Sequence, residues 1–219
     1  MKQVRILIAD DHEVTRDGAQ RLIEREAGWE VCGTATTGRE AVEQAAKLHP
    51  DVVVLDMSMP ELNGLEAARQ IKRLVPQSEI LIFTGYDDTT EMIREVFEAG
   101  VKSVILKGQA SSQLVEAIRS LCERKAFFTS NVSQALFSRL LDSSKQKPKG
   151  NKNSRPLTGR EREVVQLLAE GKSNKQVAST LGVGTRTIEA HRASITRKLS
   201  LDSFAALVRY AIRSKITRA

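Results

Sequence analysis

The residues of this chain best suited to chemistry are carboxylates that follow apolar runs. Asp10 and Asp11 come after Val4 to Ala9, and Asp56 comes after Val52 to Leu55. Runs that are apolar at successive positions are typical of strands buried on both faces, so each acid is predicted at the carboxyl end of a strand. Because adjacent carboxylates disfavour each other's ionised form, the pair indicates that a positive group binds there.

The segments around these acids predict the fold. Five apolar runs alternate with five stretches of helical spacing: Val4 to Ala9, Trp29 to Ala35, Val52 to Leu55, Ile80 to Phe83 and Val101 to Leu106. This alternation predicts an α/β fold with a five-stranded parallel sheet, in the flavodoxin-like order 2-1-3-4-5, covered on both faces. Ligands of such sheets bind at the carboxyl ends of the first and third strands. Thr84 and Lys107, at the ends of strands four and five, are predicted to lie beside the acids.

Oxygen ligands of this kind suit Mg²⁺, which is usually shared with a phosphate. The prediction is that Asp10, Asp11 and Asp56 form the metal site and that the Asp56 carboxylate attacks a phosphoryl group to give an acyl phosphate. Thr84 and Lys107 would then bind the remaining phosphoryl oxygens. The alternatives are an N-cap role for Asp11, a turn role for Thr84 and a surface charge for Lys107.

Four segments carry a resemblance to a known family: ADDHEVTRDG, VVLDMSMPELNGLE, ILIFTGY and VILKG. In that order they resemble the acidic pair, phosphoacceptor loop, hydroxyl strand and lysine strand of the receiver domain of two-component response regulators, over residues 1–125. The resemblance implies that a sensor histidine kinase donates the phosphoryl group to Asp56. It also implies metal ligation by Asp11, Asp56 and the backbone carbonyl of Ser58, with Asp10 acting largely through water, and a loop shaped by Pro60 and Gly64.

Two positions depart from the family pattern. The family commonly has an aromatic residue three positions before the lysine, and its rotation follows the hydroxyl residue on activation. This chain has Val104 there, so Tyr86, close to Thr84, is a candidate substitute for the switch. Gly108 follows Lys107 where many relatives have a cis proline.

Charge and composition change after residue 141. Residues 1–141 carry 17 Lys/Arg against 21 Asp/Glu, whereas residues 157–219 carry 12 against 5. Residues 126–141 are predicted to be a helical extension of the first domain, and residues 142–156, which contain no aliphatic side chain, a flexible basic linker. The basic last part indicates a polyanionic partner for that part alone.

From residue 157 onward the pattern is helical. Two pairs have capping-box spacing and predict helices that start near Gly159 and Asn174: Thr158 with Glu161, and Ser173 with Gln176. LGVG, residues 181–184, separates the second helix from a third, which is the spacing of a helix-turn-helix. A fourth helix is predicted after a cap at Asp202 or Ser203.

The third of these helices has a face suited to a DNA groove. If Ile188 is placed at the centre of the buried side, the outward face consists of Arg186, Glu189, Ala190, Ala193 and Arg197. Glu189 could accept from cytosine, the alanines could meet thymine methyl groups, and the arginines could reach bases or phosphates. Lys172 and Lys175 are predicted phosphate contacts. The alternative is a solvated basic face on an ordinary helical hairpin.

The segment Leu157 to Leu199 resembles the DNA-binding domain of the NarL/LuxR type, which implies that residues 157–219 form a four-helix domain that dimerises through its last helix. Together the two resemblances predict a phosphorylation-dependent, DNA-binding transcriptional response regulator that turns over no external substrate. Phosphorylation would change either dimerisation or the exposure of the reading helix. The main alternative is an atypical regulator that binds DNA without phosphorylation.

Enzymes on the same α/β scaffold, a phosphatase or a flavin protein, form a second class of hypothesis. Haloacid-dehalogenase-like phosphatases place the nucleophile first in a DxD motif, whereas Asp56 is followed by Met57 and Ser58. The three histidines are scattered in sequence and predict no zinc site. Cys32 and Cys122 are predicted to be buried reduced thiols, and no apolar stretch is long enough to span a membrane, so a cytoplasmic location and no membrane partner are expected.

Overall fold

A computed structural model describes residues 3–85, 95–107, 110–128 and 156–217, except for the side chains of residues 110–112. Its first part contains one parallel sheet with strands β1 Val4–Ala9, β2 Trp29–Ala35, β3 Val52–Leu55, β4 Glu79–Thr84, β5 Ser103–Leu106 and β6 Phe127–Phe128. The strand order is β2-β1-β3-β4-β5-β6. The predicted order 2-1-3-4-5 is therefore confirmed, with one strand added at the edge.

The added strand lies where the sequence predicted the start of a helical extension at residue 126. Phe127 and Phe128 pair instead with the open edge of β5, opposite Ser103 and Val104. The Ser103 hydroxyl donates to the Phe127 carbonyl at 3.0 Å, and each phenylalanine packs against one of the two hydrophobic cores. The packing of these two half-buried rings thus favours a strand at the start of the predicted extension. Residues 129–141 of the extension and 142–155 of the linker lie outside the described residues.

Helices cover both faces of the sheet: α1 Glu13–Ile23, α2 Gly38–Leu48, α3 Gly64–Leu74 and α4 Ala110–Cys122. Alternate residues of each strand point to opposite cores, since Leu7 and Val53 pack with α2 and α3 whereas Ile8 and Val54 pack with α1 and α4. The predicted helix between β4 and β5 is described only at its end, where residues 95–98 are helical.

The C-terminal part consists of α5 Gly159–Ala169, α6 Asn174–Thr180, α7 Thr185–Leu199 and α8 Phe204–Arg213. Both predicted capping boxes are present, and in each the two side chains accept from one another's backbone N–H. The α8 cap is Ser203, whose hydroxyl accepts from the Ala206 N–H, so the alternative cap at Asp202 is wrong. All four helices contribute to one core that includes Val164, Val177, Ile188 and Leu207.

The structure also tests the predictions about the cysteines and about membrane-spanning helices. Cys32 is half-buried and Cys122 is exposed, so the prediction that both are buried is wrong. Over the described part of the chain, the helices are all too short or too polar to cross a membrane.

Candidate functional site

The carboxyl edge of the sheet brings the predicted acids together. The Asp10 N–H donates to the Ala35 carbonyl at 3.1 Å and the Asp56 N–H to the Ala9 carbonyl at 2.8 Å, so the ladder holds both residues just past their strands. Each of these aspartates is only 2% exposed. Potential metal-binding atoms of Asp10, Asp11, His12 and Asp56 all lie within 4.8 Å of one another.

Lys107 supplies a positive charge inside this cluster. Its ammonium lies 2.6 Å from Asp10 Oδ2 and 3.1 Å from Asp56 Oδ1, and 5.9 Å from the centre of the Phe83 ring. Thr84 is fully buried at the end of β4 and pairs with Leu106, the residue before Lys107. The two residues predicted to bind phosphoryl oxygens therefore end adjacent strands at the same edge as the acids.

The residues present fit a divalent cation. Three carboxylates against one ammonium leave the crevice negative, and oxygen donors at this spacing suit a hard cation such as Mg²⁺. The alternative N-cap role for Asp11 is wrong, because the N-cap of α1 is His12. His12 itself was missed as a neighbour of the site: its Nδ1 lies 2.9 Å from Asp11 Oδ1, a proximity that its place in the sequence directly after the acid pair could have signalled.

The loop of residues 57–63 is fixed tightly to Asp56. A Cβ on Gly64 would lie 2.0 Å from the Asp56 carbonyl oxygen, and the Gly64 N–H donates to the Met57 carbonyl at 2.9 Å. Only glycine permits this approach, which explains its presence where the family pattern requires it. Ser58 is half-buried in this loop and Pro60 is exposed. The end of the loop therefore packs directly against the backbone of Asp56.

Of the two predicted switch positions, the structure describes Val104. Val104 is fully buried in β5 and pairs with Ile82 on one side and Phe128 on the other. The Phe128 ring lies 5.2 Å from the ring of Phe97, so an aromatic pair stands next to the valine. Tyr86 and Gly108 lie outside the described residues.

The predicted reading face of α7 is open to solvent. Its five members, Arg186, Glu189, Ala190, Ala193 and Arg197, are all exposed, whereas Ile188 and Ile195 are fully buried. Arg192, which was not predicted from the sequence, is also exposed and donates to Asn174 Oδ1 at 2.8 Å. Lys175 is exposed, but the Lys172 ammonium lies 3.1 Å from Glu61 Oε1 in the first part of the chain.

Glu161 joins α5 to the reading helix. Its carboxylate accepts from the Thr158 N–H at 2.8 Å, the Ser194 hydroxyl at 2.8 Å and the Lys198 ammonium at 2.6 Å. Burial alone would raise the pKa of Glu161, but these hydrogen bonds, led by that of Lys198, lower it to about 2. The charged carboxylate therefore fixes the orientation of α7 on α5.

The two parts of the chain meet mainly through α5 and the residues just after it, which contact α2, α3 and the loop of residues 57–63. Asn63 of the loop also donates to the Ile216 carbonyl, after α8, at 3.5 Å. The contacts are mainly polar: Arg162 with Glu66 at 2.6 Å, Lys172 with Glu61 at 3.1 Å, Gln70 with Glu163 at 2.9 Å and Gln166 with the loop backbone. This interface was not predicted from the sequence. The sequence nevertheless contains a sign of this interface. The run VVQLLA is apolar at almost every position, which is typical of a helix buried on more than one side. Gln166, the polar residue within this run, is the residue that contacts the first part of the chain.

Comparison with known proteins gives the class of this protein. Residues 6–119 match the family model of the response regulator receiver domain, and residues 155–211 match that of bacterial regulatory proteins of the luxR family. The chain therefore belongs to the two-component response regulators with a LuxR-type DNA-binding domain. This is a class of phosphorylation-regulated, DNA-binding regulators of transcription, as the sequence predicted.

Individual relatives extend over nearly the whole chain. The oxygen regulatory protein NreC of Staphylococcus epidermidis is 36% identical over 217 residues, which are 97% of this chain and 99% of the relative. A LuxR-family response regulator from Aurantimonas sp. is 31% identical with a TM-score of 0.61, over 64% of this chain and 99% of that one. The RcsB–DNA complex is 25% identical with a TM-score of 0.61, over 99% of this chain and 100% of that one.

Proposed function

We propose that Asp56 is the phosphoacceptor and that phosphorylation there controls dimerisation and DNA binding. The observation that carries this proposal is the Lys107 ammonium bridging Asp10 and Asp56 in the buried acidic crevice. An Asp56 carboxylate oxygen attacks phosphorus and forms a P–O bond. The bond from phosphorus to the donor breaks, and its electron pair leaves with the donor, an imidazole nitrogen of a sensor histidine kinase or the acetate of acetyl phosphate.

The residues around Asp56 have separate roles in this transfer. Lys107 passes from Asp56 Oδ1 to an oxygen of the new phosphoryl group, and the Thr84 hydroxyl donates to another. Asp11, Asp56 and the Ser58 carbonyl would hold Mg²⁺, with Asp10 acting through water. The metal, when bound, neutralises charge on the transferring group. Water later hydrolyses the acyl phosphate, so the protein catalyses only its own phosphorylation and dephosphorylation.

The reading face of α7 supports contact with the major groove of double-stranded DNA. Glu189, Ala190 and Ala193 are the base readers of the proposal, with Arg186 and Arg197 at the ends and Lys172 and Lys175 on phosphates. The active form is a homodimer joined through α8, where Phe204 is 50% and Ile212 37% exposed. RcsB, a relative in fold, has been solved as two dimers on two parallel DNAs. Since a kinase phosphodonor and the chromosome meet in the cytoplasm, the protein is assigned there.

The test is the intact mass of the full chain after treatment with acetyl phosphate and Mg²⁺, with DNA binding measured in parallel. The wild type gains one phosphoryl group and Asp56→Ala gains none. Asp17→Ala removes an exposed carboxylate of α1 and serves as the matched control that is still phosphorylated. A phosphoryl group retained in Asp56→Ala would contradict the assignment of the acceptor.

A second candidate, DNA binding without phosphorylation, is favoured by one observation. Val104 is a fully buried aliphatic residue at the position where the family commonly has its rotating aromatic. The same experiment separates the two candidates. If the phosphorylated wild type shows the same oligomeric state and DNA affinity as the untreated chain, the phosphorylation-independent regulator is correct.

A further inference from the structure

Gln166 of the DNA-binding domain binds the backbone of the loop that follows Asp56. Its Nε2 donates to the Met59 carbonyl at 2.9 Å, and its Oε1 accepts from the Asn63 N–H at 2.8 Å. The residue is only 1% exposed, so water cannot easily replace either contact. Nε2 also donates to Glu170 Oε1 at 2.9 Å, which fixes the orientation of the amide. One side chain of α5 thus spans the loop from residue 59 to residue 63.

Both backbone groups that Gln166 binds belong to the loop that begins directly after Asp56. Asn63 precedes Gly64, whose α-carbon lies against the Asp56 carbonyl so closely that a Cβ there would be 2.0 Å from the oxygen. At the other end, the Met59 carbonyl is one peptide beyond the Ser58 carbonyl, a metal ligand of the proposed function. A change in the direction of the Ser58 carbonyl therefore changes the geometry at Met59.

The contacts around Gln166 that join the two domains are mostly ion pairs. Glu66 pairs with Arg162 at 2.6 Å, and Glu61 pairs with Lys172 at 3.1 Å while its N–H donates to Glu170 Oε1 at 3.0 Å. Interfaces between domains that are this polar resemble those of transient complexes, in which relative motion is the default. A small change in the loop can therefore shift the balance between contact and separation of the domains.

We infer that Gln166 is a positioning residue that restrains the phosphorylation of Asp56, acting from the DNA-binding domain through the loop of residues 57–63. In the unmodified chain the Asp56 carboxylate is paired with Lys107, and the amide holds the loop in the matching arrangement. Phosphorylation moves Lys107 to the phosphoryl group and reorients the Ser58 carbonyl, which weakens both Gln166 contacts. By linkage, the same contacts oppose metal binding and phosphorylation while the domains touch.

This inference rests on the proposed role of Asp56, and its test keeps the two apart. Gln166→Met preserves the length of the side chain but removes both polar ends, and Gln20→Met makes the same change on α1, where the amide donates to Glu24. Phosphorylation of the full chain by acetyl phosphate is followed by intact mass against Mg²⁺ concentration. Gln166→Met is expected to be half-saturated at about fivefold less Mg²⁺ and to react faster, because the contacts that oppose metal binding are removed. Gln20→Met should match the wild type.

Hydrogen exchange gives a second readout, measured on both the unmodified and the phosphorylated chain. The Asn63 amide is expected to be protected in the unmodified wild type and to exchange faster both in Gln166→Met and in the phosphorylated wild type. If Gln166→Met lowers the unfolding temperature of either domain, Gln166→Glu takes its place, since it keeps the Asn63 contact but sets a carboxylate against the Met59 carbonyl.

A folded variant whose Mg²⁺ dependence, rate and Asn63 exchange equal those of the wild type overturns the inference. A wild type that accepts no phosphoryl group overturns the proposed function instead.

Discussion

Replacement of Glu161 by glutamine tests whether a buried charge fixes the reading helix on its domain. The lowering of the Glu161 pKa from 4.5 to about 2 corresponds, at about 1.4 kcal/mol per pKa unit, to roughly 3 kcal/mol of stabilisation. Glutamine keeps the size and can still accept one hydrogen bond, so Glu161→Gln is expected to destabilise the DNA-binding domain by about 2 kcal/mol near neutral pH. The main loss is the 2.6 Å contact with Lys198.

The effect has a defined pH dependence. Because the folded-state pKa of Glu161 is lowered, its stabilisation is complete above the unfolded value of 4.5 and is lost as the pH falls toward about 2. The difference between Glu161→Gln and the wild type should therefore shrink below about pH 4.5 and nearly disappear by about pH 2.

Urea unfolding of the full chain, followed by the NMR methyl signals of Ile188 and Ile195, measures this domain alone, since both residues lie in its core. Glu189→Gln, on the exposed face of α7, is the control and should change stability by less than about 0.5 kcal/mol. The explanation is refuted if Glu161→Gln destabilises the domain equally at about pH 7 and about pH 3.

Three further predictions concern the crevice and the DNA contacts. Gly64→Ala places a Cβ 2.0 Å from the Asp56 carbonyl oxygen and should destabilise the receiver by about 2 kcal/mol or more in the same urea titration. In the control Gly18→Ala the added Cβ meets nothing within 4 Å, so this variant should stabilise α1 by up to about 1 kcal/mol. Mg²⁺ should stabilise the receiver by about 2.7 kcal/mol at a hundredfold excess over its dissociation constant, as followed by Trp29 fluorescence; an equal gain in Asp11→Asn would place the metal elsewhere. Lys175→Ala should flatten the slope of log DNA affinity against log salt concentration by about one. The control Lys47→Ala, on the exposed side of α2, should leave this slope unchanged. A wild-type slope in Lys175→Ala would exclude that lysine from the DNA interface.

The crevice was predictable because it depends on strand ends. Asp10, Asp56 and Lys107 each follow an apolar run, and parallel strands bring their carboxyl ends to one edge whatever the details of packing. The reading face of α7 was predictable for a similar reason, since a period of 3.6 residues fixes which side chains share a face with Ile188. In both cases local pattern determines the placement.

What could not be predicted depends on contacts between distant segments. Strand β6 forms because Phe127 and Phe128 meet an open sheet edge, and nothing in the local sequence reveals that edge. Likewise, the partner of Lys172 is Glu61, which lies more than a hundred positions earlier. From the sequence, a lysine in a basic helical domain indicates a phosphate contact. Only the structure shows that the Glu61 carboxylate pairs with Lys172 when the two domains are docked.

Exposure of the reading helix is not what phosphorylation has to change. All five residues of the reading face are exposed while α5 contacts the receiver, so docking leaves the groove-binding surface uncovered. Of the residues assigned to DNA, the docked arrangement engages Lys172, through Glu61. Separation of the domains would release Lys172 for a phosphate contact. A dimer also reads two half-sites only when both reading helices have the correct spacing, so the arrangement of two copies is a second property that phosphorylation can change.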